Sequence, residues 1–208
     1  CKYLLSYIPV DDEFDTDFGF RGKVQFGLGV RKPSVADISG STHFESDNNN
    51  APNYNSPRTQ PIFTNMTSIG PKQYDTSIVN PNFTRAAHLR RNSLISFYNS
   101  VIMGWPQGIL YDGSGTTCAI QNDTSRVKSN IFAGCYNGFS STNGGCGFDP
   151  NSYTTGSNTI FNATALAQIS NPYGNVSTGS YSPANFLPSA GSPALTGGNF
   201  SYAGLNDL

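Results

Sequence analysis

Residues 11–17, Asp11-Asp12-Glu13-Phe14-Asp15-Thr16-Asp17, set five acids in seven positions of a chain that has only 13 acids. Carboxylates this crowded repel one another unless a cation or solvent relieves them. Hard oxygen ligands at such density suit Ca²⁺, which takes about six to eight of them. In an extended strand Asp11, Glu13, Asp15 and Asp17 share one face and Asp12 lies on the other. Glu45 and Asp47 can join from a neighbouring strand. The pattern predicts a metal site built from Asp11, Asp12, Asp15, Asp17, Glu45 and Asp47, set against the plainer reading of a solvated acidic turn. It is not an EF-hand, because no glycine and terminal glutamate follow at that spacing.

A second cluster, Arg85-Ala86-Ala87-His88-Leu89-Arg90-Arg91-Asn92, holds three of the twelve Lys and Arg residues. Arg85, Arg90 and Arg91 can grip an anionic sugar through charge-assisted hydrogen bonds. The competing reading, internal pairing with the acidic stretch, carries more weight. His43 and His88 are the two histidines and read as hydrogen-bonded structural residues. No serine or cysteine motif marks a nucleophile.

The elements that must hold these residues are short strands. The chain has 208 residues, enough for a substantial core. It contains 22 Asn, 25 Ser, 17 Thr and 22 Gly, a poor composition for helices and a good one for strands joined by turns. One short helix is predicted from Ala163 to Gln168, with Asn162 as its N-cap. Charged residues are 12% and the net charge is −1, which excludes an electrostatic nucleic-acid binder. No apolar run approaches the roughly 20 residues that span a bilayer.

The strands repeat. Phe63-Thr64-Asn65-Met66-Thr67-Ser68-Ile69-Gly70 aligns with Phe97 to Gly104 and again with Val127 to Gly134. A weaker copy runs from Asn158 to Ala163, so the offsets are 34, 30 and 29. Gly108-Ile109 falls over Gly138-Phe139. Strand, glycine turn and strand at this period is the pattern of a parallel β-solenoid, whose coils stack about 4.8 Å apart. The alternative is an antiparallel sandwich with accidental self-similarity. In the solenoid register Phe63, Phe97 and Val127 form an inward column. Asn65, Asn99 and Ser129 share its parity and are expected inside as a stacked ladder. Residues 45–61 and 140–157 read as long surface loops.

The same register brings Cys118 and Cys146 to one place on successive coils, because their separation of 28 is close to the local repeat of 30. Stacking puts their Cα atoms about 5 Å apart, so a Cys118–Cys146 disulfide is predicted, with Cys135 unpaired. The rival pairing is Cys135–Cys146 across a hairpin.

The stretches Lys2 to Leu5, Asp11 to Arg31, Phe44 to Asn48 and Arg85 to Gly113 resemble a family of secreted Bacteroidetes proteins. These are right-handed parallel β-helices, often exported by type IX secretion or anchored as surface lipoproteins. Ser189-Ala190-Gly191-Ser192-Pro193-Ala194-Leu195 resembles the closing coil of many bacterial β-helices. The resemblance implies an all-β, right-handed parallel β-helix spanning residues 1–208, the C-terminal part of a longer solenoid. It also implies an extracellular or outer-membrane location. A more distant resemblance, to family-nine pectate lyases, rests on the acidic stretch followed by the Phe44-Glu45-Ser46-Asp47-Asn48 coil. Glu45 stands where that family carries its catalytic lysine, which weighs against lyase chemistry.

The expected function is therefore a non-catalytic structural, adhesive or glycan-contacting module. Surface glycans or other cell-envelope proteins are its expected partners. The alternative is a calcium-assisted polysaccharide lyase.

Overall fold

The computed structural model describes residues 1–174 and 183–205. The chain passes back and forth between two sheets. It starts in the first with β1 (Lys2–Tyr7), crosses to the second as β2 (Phe14–Thr16) and returns as β3 (Lys23–Val30). The next pass gives β4 (Phe44–Ser46), then the broken strand β5 (Ile62–Thr64) and β6 (Thr67–Ile69). The course repeats in β7 (Ala87–Leu89), β8 (Ser96–Tyr98), β9 (Val101–Trp105) and β10 (Ile109–Asp112). It repeats once more in β11 (Val127–Lys128), β12 (Ile131–Cys135) and β13 (Phe139–Thr142), before β14 (Thr159–Phe161) ends the first sheet. Pairing within both sheets is parallel. A separate antiparallel pair, β15 (Ile169–Asn171) and β16 (Asn185–Pro188), follows.

The inward column expected from the repeat is present and longer. Val24, Phe63, Phe97 and Val127 are cross-strand neighbours, and each is at most 5% exposed. The second sheet answers with Phe14, Phe44, Ala87, Ile109 and Phe139 in one register row. Phe44 joins the two sheets, its ring 4.9 Å from Phe63 and 5.0 Å from Phe97. Each such buried ring contributes about 1.5–3 kcal/mol of transfer free energy.

Asn65, Asn99 and Ser129 are not inside. All three sit at positive φ (55°, 51° and 56°) at the turns between β5 and β6, β8 and β9, and β11 and β12. A left-handed residue breaks strand alternation, so the parity that points Phe97 inward does not carry past it. The buried polar ladder lies one residue later. The backbone amide of Met66 donates to Ser100 Oγ, that of Ser100 to Asn130 Oδ1, and Asn130 Nδ2 to Asn158 Oδ1 at 2.9 Å. The last offset is accordingly 28: Ile131 pairs with Thr159, one residue off the expected register.

The predicted loops are partly structured. The 45–61 segment begins inside β4, and its Asp47, Asn48 and Thr59 are buried. The 140–157 segment begins in β13 and ends in a helix, Pro150–Ser157, capped by Asp149, whose side chain accepts from the Ser152 amide. A second helix, Ser114–Gln121, leaves β10. Both have compositions that propensity alone disfavours. The helix expected at residues 163–168 is a 3-10 turn, Thr164–Ala167, with Ala163 rather than Asn162 at its N-cap. Cys118, on the Ser114–Gln121 helix, is bonded to Cys146 with a Cα separation of 5.2 Å. Cys1 and Cys135 are free thiols, and Cys135 pairs across the sheet with Trp105. The Ser189–Leu195 segment carries a 3-10 turn, Pro193–Leu195, capped by Ser192.

Candidate functional site

The outer face of the second sheet aligns three polar side chains on consecutive strands: Asp15 on β2, Glu45 on β4 and His88 on β7. Their neighbours Phe44, Ser46, Ala87 and Leu89 are buried, so alternation sends these three outward. His88 is held on both sides. Its Nδ1 is 3.3 Å from an Arg85 guanidinium nitrogen and 3.6 Å from Glu45 Oε1; its Nε2 is 3.3 Å from Asp112 Oδ2. Arg90 bridges two acids, at 2.6 Å to Glu45 and 2.7 Å to Asp47, and Arg91 reaches Asp47 at 3.0 Å.

This row floors a groove of about 380 Å³, walled by Asp11, Asp12, Thr42 and Arg85, by residues 38–40, and by Pro81, Asn82 and Thr84. Asp12 accepts a hydrogen bond from the Thr42 amide. Burial, with Glu45 and Asp11 nearby, pushes the Asp12 carboxyl up to about 6. Burial and the carboxylates of Glu45, Asp17 and Asp47 do the same to Asp15, also to about 6. Burial opposes ionisation of Glu45 too, but His88, Arg90 and Arg91 outweigh it and hold that carboxyl below its ordinary range. Adjacent groups thus differ in charge preference because only one of them owns the guanidinium.

Beneath the groove lies a charged cluster whose chemistry no sequence motif announced. Glu13 is fully buried between Arg31, at 3.0 Å, and His43 Nδ1. Arg31 also donates to the Pro9 carbonyl and lies over the Phe83 and Trp105 rings, 5.7 and 5.9 Å from their centroids. Glu13 therefore does not share a face with Asp11, Asp15 and Asp17. β2 is three residues long, too short to impose alternation on the whole acidic stretch.

Of the residues expected to bind metal, Asp11, Asp12, Asp15 and Glu45 line one groove. Asp17 is exposed and Asp47 is buried against Arg90 and Arg91; neither lines it. Among the described residues no three His, Cys, Asp or Glu side chains form a group that could hold a metal ion. Of the expected anion-binding arginines, Arg85 and Arg90 reach the groove, whereas Arg91 serves Asp47. Asp112 and Thr42, which no sequence pattern singled out, belong to the site. Asp112 is the β10 residue three along from the Ile109–Phe139 pair, a position the coil repeat could have flagged.

A larger cleft of about 780 Å³ lies elsewhere, between the 193–202 segment and the turn column of Asn65, Asn99 and Ser129. Its polar groups largely bond one another: Asn99 exchanges hydrogen bonds with the Asn199 backbone, and Ser129 meets the Tyr202 hydroxyl. The charged chemistry belongs to the smaller groove.

No helix among the described residues is long and apolar enough to cross a membrane. No curated protein and no solved structure matches the chain at a level that would mark a relative. A family described as the pectate-lyase-like beta helix domain matches residues 1–175. With parallel strands recurring coil by coil and a match over most of its length, this chain belongs to the pectate-lyase-like β-helix family.

Proposed function

We propose that the chain is a right-handed parallel β-helix of the cell exterior that contacts glycans through the outer face of its second sheet and does not turn them over. The observation that carries this reading is the row Asp15, Glu45 and His88 on consecutive strands, flanked by Arg85 in one groove. Carboxylate, imidazole and guanidinium groups at strand spacing, about 4.8 Å, offer planar hydrogen-bond partners at intervals suited to sugar hydroxyls. Family membership supports a carbohydrate ligand. The Cys118–Cys146 disulfide supports an oxidising compartment, outside the cell or on its outer surface. Surface glycans are the proposed partners.

A second reading, calcium-assisted polysaccharide lyase activity, is favoured by the opposed ionisation of Asp15 and Glu45, a pattern found in acid–base pairs. Two features weigh against it. A carboxylate held in its charged form by Arg90 is a poor proton acceptor. Two of the four groove carboxylates a calcium ion would need are already engaged, Asp12 by the Thr42 amide and Glu45 by His88 and Arg90.

The test is an immobilised panel of neutral, amino and acidic polysaccharides, probed with wild type and Arg85→Ala, with calcium and with chelator. Binding lost in Arg85→Ala, without release of ultraviolet-absorbing unsaturated uronides, supports the first reading. Calcium-dependent release of such uronides replaces it with the second, and no binding to any glycan removes both.

A further inference from the structure

We propose that Asn143 is a site of self-modification, converted by the Gly144 amide to a mixture of aspartate and isoaspartate. The chain has two Asn-Gly pairs, Asn137-Gly138 and Asn143-Gly144. Such pairs are prone to this reaction because glycine has no Cβ to shield the attacking nitrogen and turns freely. In sequence the two are equivalent, and the fold separates them. Asn137-Gly138 is the tight turn between β12 and β13, held at three points. The Asn137 amide donates to the Pro106 carbonyl, the Gly138 amide to the Cys135 carbonyl, and the Gly138 carbonyl accepts from the Gly108 amide. The nitrogen that would attack is already bonded, and turning it onto the Asn137 side chain breaks contacts between coils.

Asn143-Gly144 lies just past the end of β13, and both residues are exposed. Among the described residues neither the Gly144 amide nor the Asn143 side chain has a hydrogen-bond partner. The anchors lie on either side: the Thr142 carbonyl accepts from the Gly113 amide, and the Gly145 amide donates to the Thr117 hydroxyl. The pair is a pivot between two fixed points. The Gly144 nitrogen attacks Asn143 Cγ, its proton passes to the side-chain nitrogen, and ammonia leaves as a five-membered imide closes. Water then opens the ring. Breaking the bond from nitrogen to Cγ gives aspartate, and breaking the bond from nitrogen to the backbone carbonyl carbon gives isoaspartate. Water is the only co-reactant, and nothing is oxidised or reduced. Either product adds a carboxylate one residue beyond Thr142, whose hydroxyl donates to Asp112, the acid beside His88.

The experiment incubates the intact, disulfide-bonded chain in mildly alkaline buffer, native and in denaturant, and follows both asparagines by acidic peptide mapping with mass detection. In the native chain the peptide carrying Asn143 should gain one mass unit and split into two isomers at least about tenfold faster than the peptide carrying Asn137. In denaturant the two rates should converge. Gly144→Ala should slow the native reaction at Asn143. The fold admits that change, because Gly144 is not in the left-handed region and an added Cβ meets nothing closer than 3.5 Å. Equal native rates, a faster Asn137, or an Asn143 that stays intact in the native chain while the denatured chain reacts overturns the proposal. A difference of the same size in denaturant also overturns it, since sequence rather than fold would then set the rates.

Discussion

Asp15 and Glu45 are direct cross-strand neighbours on β2 and β4, yet one carboxyl is pushed up and the other held down. The difference follows from Arg90, which contacts Glu45 at 2.6 Å and turns its second nitrogen to Asp47. Arg90→Ala should therefore leave two poorly solvated acids facing Asp15. The expected loss is about 2 kcal/mol in denaturant unfolding, below the cost of a fully buried pair because the guanidinium is partly exposed. The double variant Arg90→Ala with Glu45→Gln should recover part of it; no recovery would mean that Arg90 acts by packing alone.

The raised aspartates set a pH dependence. Folded Asp15 holds its proton to about pH 6, whereas the unperturbed group loses it near 3.8. Between those values the folded state binds the extra proton, so this contribution to stability is full at low pH and is lost as pH rises towards 6. Asp12 acts in the same direction. Glu45 acts oppositely: its contribution is present above 4.5 and is lost as pH falls through its lowered folded value. Asp15→Asn should raise the unfolding midpoint at neutral pH and leave it nearly unchanged near pH 4, with a gain below about 1 kcal/mol because the residue is exposed.

The axial ladder makes a sharper prediction. Asn130 is 1% exposed and contacts the Ser100 amide, Asn158 and the Phe97 carbonyl. Asn130→Ala should cost about 3 kcal/mol by stranding buried partners. Asn99→Gly, at φ 51°, should cost far less, since glycine accepts that backbone freely and the lost contact lies at the surface. Equal costs in thermal unfolding would contradict the inside–outside assignment of the two residues.

That contrast also shows how far the sequence was readable. Phe63, Phe97 and Val127 announced the core column because aromatic and β-branched residues at a fixed offset have few other uses. The amides misled, because a single left-handed residue at Asn65, Asn99 or Ser129 resets the strand parity; Asn accepts that backbone more readily than most residues, but an Asn in a strand pattern does not require it. The acidic stretch was legible as a site but not as an arrangement. Glu13 turned inward because Arg31 and His43, 18 and 30 residues away in the chain, wait there. Arg90 and Asp47 were legible only as a competition between pairing and ligand binding, and pairing took both. The Ser114–Gln121 and Pro150–Ser157 helices were invisible to propensity; packing against the second sheet and the Asp149 cap hold them.

The cysteines give a chemical check. The Cys118–Cys146 bond closes 28 residues of sequence and should stabilise the fold by about 3–4 kcal/mol in the chain-entropy model. Cys135 is only half-buried, but desolvation pushes its thiol up to about 12, so native alkylation should modify exposed Cys1 well before Cys135. Mass mapping that finds Cys135 bridged, or modified as fast as Cys1, in the native chain would refute this.

The central claim, that the outer face of the second sheet is the glycan contact, is tested most directly by hydrogen exchange with and without a saturating oligosaccharide from the binding panel. The account predicts slowed exchange in peptides covering residues 38–47 and 81–91, which carry Thr42, Glu45, Arg85, His88 and Arg90. Protection confined to residues 193–202 and the Asn65–Asn99–Ser129 turn column would place the ligand in the larger cleft and contradict it.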